Sequence, residues 1–110
     1  MYNPVKKNLR FHEEALAEFT AQAVYYESKS KGLGERFTNE VETATEIAWE
    51  FPAMGAPFKY KTHHVFPKKF PFSIVYRILA AEIVIIAVAS DARKPGYWLA
   101  AIFTSSAFSK

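Results

Sequence analysis

The feature that most constrains this chain is an unbroken apolar run at residues 83–89. A few residues upstream, residues 72–79 alternate between apolar side chains and positions that include Ser73 and Arg77. Unbroken apolar runs of this length are typical of strands covered on both faces, whereas alternation indicates a strand with one polar face. The two segments therefore predict two central strands of a small antiparallel sheet, joined by a tight turn.

The preceding stretch has the period of a helix instead. Apolar residues recur there at spacings of three and four, namely Leu16, Phe19, Ala23 and Tyr26, and then Phe37, Val41, Ala44, Ala48 and Phe51. Such spacing predicts two helices, each with one apolar stripe. Glu13 favours the start of the first helix by opposing its dipole, and Pro52 favours the end of the second. Gly32 and Gly34 predict a tight turn between them.

The flanking segments complete the order of elements. Residues 8–12 alternate and predict a first strand, residues 53–58 a loop, and residues 60–65 a further strand. The order β-α-α-β-β-β predicts an α+β fold, with an N-terminal strand and an α-helical hairpin packed on one face of a small antiparallel β-sheet. At 110 residues the chain fits one domain spanning residues 1–110. The residues expected to share its core include Phe19, Phe37, Val41, Ile74, Tyr76 and Ile85.

Composition excludes several kinds of protein and site. The absence of cysteine excludes disulfides, thiolate catalysis and thiolate metal ligands. No apolar run approaches the roughly 20 residues needed to cross a bilayer, and the N-terminus has no apolar signal region. We therefore expect a soluble, cytoplasmic protein.

The net charge of +3 conceals a division along the chain. Residues 13–50 hold nine acids and three bases, a balance of −6, while the remainder holds eleven bases and two acids, a balance of +9. The helical hairpin should therefore repel an acidic partner. The sheet and the C-terminal segment should attract one, whether nucleic acid or an acidic peptide.

Several motifs carry a family resemblance. The C-terminal half contains F-P-F-S-I-V-Y-R-I, I-V-I-I-A-V-A and R-K-P-G-Y-W, and the helical part contains E-E-A-L-A-E-F, Y-Y-E and L-G-E-R-F-T-N-E-V. In this order the motifs resemble the RelE/ParE toxin superfamily, in particular its ParE-like branch of plasmid stabilisation and type II toxin–antitoxin systems. The resemblance covers roughly residues 9–98 and leaves residues 99–110 as a C-terminal tail.

The resemblance implies a toxin that a cognate antitoxin neutralises, and it leaves three hypotheses about activity. In the first, which we favour, the protein binds a target protein such as DNA gyrase, without catalysis and without a cofactor. In the second, it is a RelE-like, ribosome-dependent mRNA endonuclease that acts with ribosome and mRNA as partners. In the third, it is a degenerate, non-toxic member that only binds an antitoxin. The oligomeric state stays open, a homodimer included.

The resemblance also implies a role for Arg77. In RNA-cleaving relatives an arginine on this strand contacts the scissile phosphate, and a guanidinium suits that contact because it can donate two parallel hydrogen bonds. If the apolar neighbours of Arg77 face the helices, its side chain projects from the opposite face of the sheet. The alternative is a surface arginine paired with Glu82 or Asp91.

The segment after the last predicted strand holds the other candidates. Arg93 and Lys94 precede a proline and a glycine in a turn suited to presenting charge to a partner, and their alternative is a solvated pair. Tyr97 and Trp98 are candidate partner-binding residues or core anchors. As an endonuclease, the chain would use Arg77, Arg93 and Tyr97 as catalytic candidates.

Two departures from the family weigh against nuclease chemistry. Ser90 and Ala92 stand where relatives commonly have a histidine and a second arginine. His63 and His64 are adjacent on a predicted strand and therefore point to opposite faces, so they cannot chelate one metal ion, and we expect no metal site. One of the two histidines must share the face of Arg77. The apolar C-terminal tail either closes a sheet edge or forms a strip that an antitoxin covers.

Overall fold

The computed structural model describes residues 8–58, 61–91 and 96–99. Its elements follow in chain order as strand β1 (Asn8–Phe11), helix α1 (Glu13–Lys29), helix α2 (Leu33–Glu50), strand β2 (Ala56–Phe58), strand β3 (Thr62–Val65), strand β4 (Phe72–Ile78) and strand β5 (Glu82–Ser90). The predicted helices and central strands are confirmed. The loop predicted at residues 53–58 is wrong, because a short 3₁₀ helix (Pro52–Met54) and β2 occupy it. Three residues including Pro57 are too few to give a strand pattern.

Helix α1 begins where the sequence supplies both a cap and favourable charge. The His12 Nδ1 atom accepts a hydrogen bond from the Glu14 backbone N–H at 3.1 Å. Glu13 and Glu14 place negative charge in the first turn, and Lys29 places positive charge in the last, so both ends oppose the helix dipole. Among the described residues, neither α1 nor α2 has an apolar stretch of the length that spanning a bilayer requires.

The turn between the helices is built from Gly32, Gly34 and the side chain of Glu27. Gly32 has a φ of 86°, a left-handed conformation that glycine adopts without steric cost. The Glu27 carboxylate accepts hydrogen bonds from the backbone N–H groups of Gly32 and Gly34, both at 3.0 Å, and so caps α2. A Cβ atom added to Gly34 would lie 2.6 Å from the backbone oxygen of Ala23. This position therefore needs glycine for the two helices to approach so closely.

The five described strands form one sheet in the order β1-β5-β4-β3-β2. Strands β2 to β5 pair antiparallel with their neighbours, but β1 runs parallel to β5, from Asn8 opposite Glu82 to Phe11 opposite Ile85. The α+β fold is confirmed, and the wholly antiparallel sheet is corrected to a mixed one. Two helices rather than a tight turn follow β1, so no local signal sets the direction in which it joins the sheet.

One apolar core fills the space between the helical hairpin and the sheet. Its buried members are Ala15, Phe37, Val41, Ala44, Ala48, Phe72, Ile74, Tyr76, Ile83, Ile85 and Val88. Phe19 packs against this core, with its ring centroid 6.0 Å from that of Phe37. The shared core predicted from the sequence is thus confirmed. Residues 83–89 are all buried, as their unbroken apolar run predicts.

Two residues of the predicted helical stripes lie outside this core. Leu16 is 50% exposed and Phe51 is 54% exposed. The face of α1 that meets the core runs through Ala15 and Phe19, which leaves Leu16 at its margin. Phe51 follows the last residue of α2 and has left the helical conformation, with φ −134° and ψ 65°.

Candidate functional site

The candidate site lies on the face of the sheet away from the helices, which we call the open face. A row of directly opposed residues crosses four strands there, formed by Arg10, Val84, Arg77 and Thr62. A second apolar cluster covers the neighbouring part of this face, and its buried members are Val75, Ile86, Ala87, Ala89 and Trp98. The open face therefore consists of this row, which contains two arginines, and of an apolar surface beside it.

Within the row of opposed residues, Arg77 on β4 lies between Thr62 on β3 and Val84 on β5. Its neighbour Tyr76 is buried in the core on the helical side, so alternation along the strand places Arg77 on the open face, as predicted. Arg77 is half-buried, and both of its row neighbours are buried. A guanidinium on a rigid central strand is suited to bidentate binding of a phosphate or carboxylate.

Arg10 and Glu82 form an ion pair at the edge of the same face, which sequence reasoning missed. Arg10 donates from Nε to Glu82 Oε1 and from Nη2 to Glu82 Oε2, both at 3.1 Å. The hydrogen bond with Glu82 raises the pKa of Arg10, and the same bond lowers the pKa of Glu82. Both carboxylate oxygens of Glu82 thus accept hydrogen bonds from Arg10. The parallel pairing of β1 with β5 brings them together across 72 residues of sequence.

The two histidines lie on opposite faces of β3, as predicted. His63 stacks on Tyr76 on the helical side, with ring centroids 5.4 Å apart. His64 is on the open face, where its ring meets Trp98 edge-on at 6.4 Å. Burial, with a smaller effect from the charge of His63, lowers the pKa of His64 below its ordinary value. Within the described residues, no group of three or more His, Asp or Glu side chains is placed to hold a metal ion.

Tyr97 is bound to helix α1 through Glu18. The Tyr97 hydroxyl donates a hydrogen bond to Glu18 Oε2, while Glu18 Oε1 accepts one from the Val88 backbone N–H at 3.0 Å. Sequence reasoning missed Glu18, although its place beside Phe19 and three residues after Ala15 put a carboxylate at the margin of an apolar helix face. A carboxylate so placed needs donors, and a β5 backbone amide and the tyrosine supply them.

The residues after β5 are described in part. Gly96, with φ 81°, begins the C-terminal turn, residues 96–99, in which the Leu99 N–H donates to the Gly96 carbonyl at 2.9 Å. Trp98 is 5% exposed and packs on the open face, so the protein itself covers most of the indole. Arg93, Lys94 and the tail beyond Leu99 lie outside the described residues, and the roles predicted for them stay predictions.

The two catalytic candidates that the structure describes, Arg77 and Tyr97, lie apart along the sheet. Arg77 lies opposite Val84, whereas the Tyr97 hydroxyl is held beside Val88, four residues further along β5. Four residues of extended chain span roughly 13 Å. Moreover, Tyr97 reaches Glu18 of α1, while Arg77 lies on the next strand inward. The arrangement therefore separates the guanidinium of Arg77 from the phenol of Tyr97.

Comparison with known proteins agrees with the fold and the motifs. The structure is similar to a chain described as the chromosomal ParDE TA system from P. aeruginosa, with a TM-score of 0.64 and 15% sequence identity over 77% of this chain and 96% of that chain. At this identity the similarity establishes a shared fold. The curated proteins include no match. The family profile described as the ParE toxin of the type II toxin-antitoxin system, parDE, matches residues 9–95. The chain therefore belongs to the ParE toxin family of type II toxin–antitoxin systems.

Proposed function

We propose that this chain is a toxin that binds a protein target such as DNA gyrase, without catalysis, and that a cognate antitoxin neutralises it in the cytoplasm. Its family supports the role of toxin. The observation that carries the non-catalytic part is the hydrogen bond from Tyr97 to Glu18. Through this bond the hydroxyl of Tyr97, one of the catalytic candidates, is already engaged with a carboxylate of the protein itself.

The chemistry of RNA cleavage explains why this bond matters. Attack by a 2′-hydroxyl needs one group that removes its proton, another that protonates the leaving oxygen, and a cation that stabilises the crowded phosphate. Arg77 suits only the last of these tasks, because a guanidinium donates hydrogen bonds and accepts none. Proton transfer by a positioned side chain contributes about 10²–10⁴-fold to a rate. A site with a cation and a committed tyrosine is therefore better suited to binding than to cleavage.

One observation favours the mRNA endonuclease as a second candidate. His64 shares the open face with Arg77 and lies two residues along β3 from Thr62, the residue opposite Arg77. Its lowered pKa keeps the imidazole neutral near pH 7, the form that accepts a proton. Against this role, the His64 ring packs against two aromatic rings, those of Trp98 and Phe66, with centroids 6.4 Å and 5.8 Å away.

Charge supports a location for the antitoxin. Residues 13–50 carry a balance of −6, and an acidic segment loses affinity wherever like charges are brought together. We therefore expect an acidic, amphipathic antitoxin segment to bind the open face and the C-terminal turn. Crosslinks from a bound antitoxin should map to the strands, and crosslinks confined to residues 13–50 would contradict this placement.

Two assays on the purified protein separate the candidates. We expect it to inhibit supercoiling by DNA gyrase and to leave ribosome-bound mRNA intact. Codon-positioned mRNA cleavage that is abolished by Arg77→Ala and by His64→Gln would establish the endonuclease instead. A folded protein that binds its antitoxin but is inert in both assays would be the degenerate member.

A further inference from the structure

On the side of β5 that faces away from β4, the hydrogen-bonding partner of the strand changes halfway along its length. Strand β1 pairs with β5 only as far as Ile85, and β5 continues to Ser90. Val88, in this second half, is 2% exposed, and a buried backbone N–H without an acceptor is costly. Glu18 supplies that acceptor from α1, at 3.0 Å. A helix side chain thus replaces the missing strand.

The same carboxylate also reaches the C-terminal turn. Glu18 uses one oxygen for the Val88 N–H and the other for the Tyr97 hydroxyl, so it joins a helix, a strand edge and the turn. Hydrogen bonds to an ionised acceptor are about twice as strong as neutral ones. The bridge is therefore stronger than an ordinary contact between a turn and a helix.

Consecutive residues fix the turn on two sides. Tyr97 reaches over the edge of β5 to Glu18, while Trp98 packs on Val75 and the other apolar residues of the open face. A packed indole alone permits sliding on an apolar surface, because the hydrophobic effect has no direction. The directed bond from Tyr97 sets the position along the strand. Together the two contacts determine where the turn stands relative to the row that contains Arg77.

We propose that Glu18 is a positioning residue that, through Tyr97, holds the C-terminal turn in the place from which the open face binds its target. This inference rests on the proposed function, because it takes the open face and the turn as the binding surface. Glu18 itself touches no partner in this role. Its effect on binding is exerted through the turn.

The test compares three substitutions on α1. Glu18→Ala removes both acceptors, whereas Glu18→Gln keeps an oxygen for the Val88 N–H and an amide that can donate to the Tyr97 oxygen. Glu14→Ala is the matched control, because Glu14 is an exposed glutamate one turn earlier on the same helix. We expect Glu18→Ala to require about 10-fold more protein to inhibit gyrase supercoiling, a loss typical of one hydrogen bond to a charged group. Glu18→Gln should recover most of that loss, and the control should match the wild type.

A second readout needs no target. In NMR spectra, Glu18→Ala should speed hydrogen exchange of the Val88 amide and shift the indole N–H resonance of Trp98, and Tyr97→Phe should shift the same indole. Unchanged exchange and resonances in Glu18→Ala would overturn the bridge itself. Altered spectra with unchanged inhibition of gyrase, or a lower melting temperature alone, would overturn the positioning role. Should the wild type fail to inhibit gyrase, the proposed target and the positioning role that rests on it both fail, while the NMR readout still decides whether the bridge exists.

Discussion

Phe37→Ala tests the packing of the helical hairpin on the sheet. Phe37 is fully buried, and its ring centroid lies 4.8 Å from that of Phe72, 5.0 Å from Tyr26 and 5.4 Å from Phe70. Truncating a buried phenylalanine costs about 3–5 kcal/mol, including the cavity that it leaves. Rings on several sides limit collapse of the cavity, so we expect about 4–5 kcal/mol, toward the upper end of that range.

Urea unfolding, followed by far-UV circular dichroism, measures this loss. Phe66→Ala is the matched control, because it makes the same chemical change at a residue that is 60% exposed, and we expect a loss below about 1 kcal/mol. A domain of this size has a stability of about 5–15 kcal/mol, so a loss of about 4–5 kcal/mol removes between about a quarter and all of it. A loss below about 1 kcal/mol for Phe37→Ala, with an unchanged m value, would refute the packing.

Three smaller changes test other contacts. Gly34→Ala should lower the unfolding free energy by about 1–3 kcal/mol in urea titrations, because the new methyl group meets the Ala23 carbonyl oxygen; an unchanged midpoint would contradict the close helix approach. Tyr76→Phe should cost about 1 kcal/mol in the same assay, since it removes the hydrogen bond that the hydroxyl donates to the Pro52 carbonyl at 2.6 Å. Burial lowers the pKa of His64 from its ordinary 6.5, so below about pH 6.5 the unfolded chain takes up a proton that the folded protein resists. Urea midpoints should therefore fall as the pH drops below that value, and fall less in His64→Phe; equal slopes would contradict the assignment.

The elements with strong local patterns could be predicted from the sequence. The apolar run in β5 and the alternation in β4 determine two central strands, and the spacing of apolar residues determines both helices. Strand β2 could not be predicted, because three residues with a proline carry no period. The parallel entry of β1 could not be predicted either, because its partners lie more than 70 residues away in the sequence.

The site was less predictable than the fold, for the same reason. Alternation alone placed Arg77 on the open face, because its position depends on its immediate neighbours. The Arg10–Glu82 pair and the Glu18 bridge depend on contacts between elements that are distant in sequence. Polar contacts of this kind produce no periodic pattern in the sequence. The only sequence signal for either of them is the carboxylate of Glu18 beside the apolar face of α1.

The most direct test of the proposed function is the affinity of the purified protein for DNA gyrase, measured by isothermal titration calorimetry. Arg77→Ala removes the guanidinium on the central strand β4 of the open face, and Arg36→Ala is the matched control, an exposed arginine on α2 of the helical side. We expect the wild type to bind, Arg77→Ala to bind at least about 10-fold more weakly while remaining folded, and Arg36→Ala to bind as the wild type does. Absence of binding by the folded wild type, or a loss in Arg36→Ala with none in Arg77→Ala, would contradict binding of gyrase through the open face.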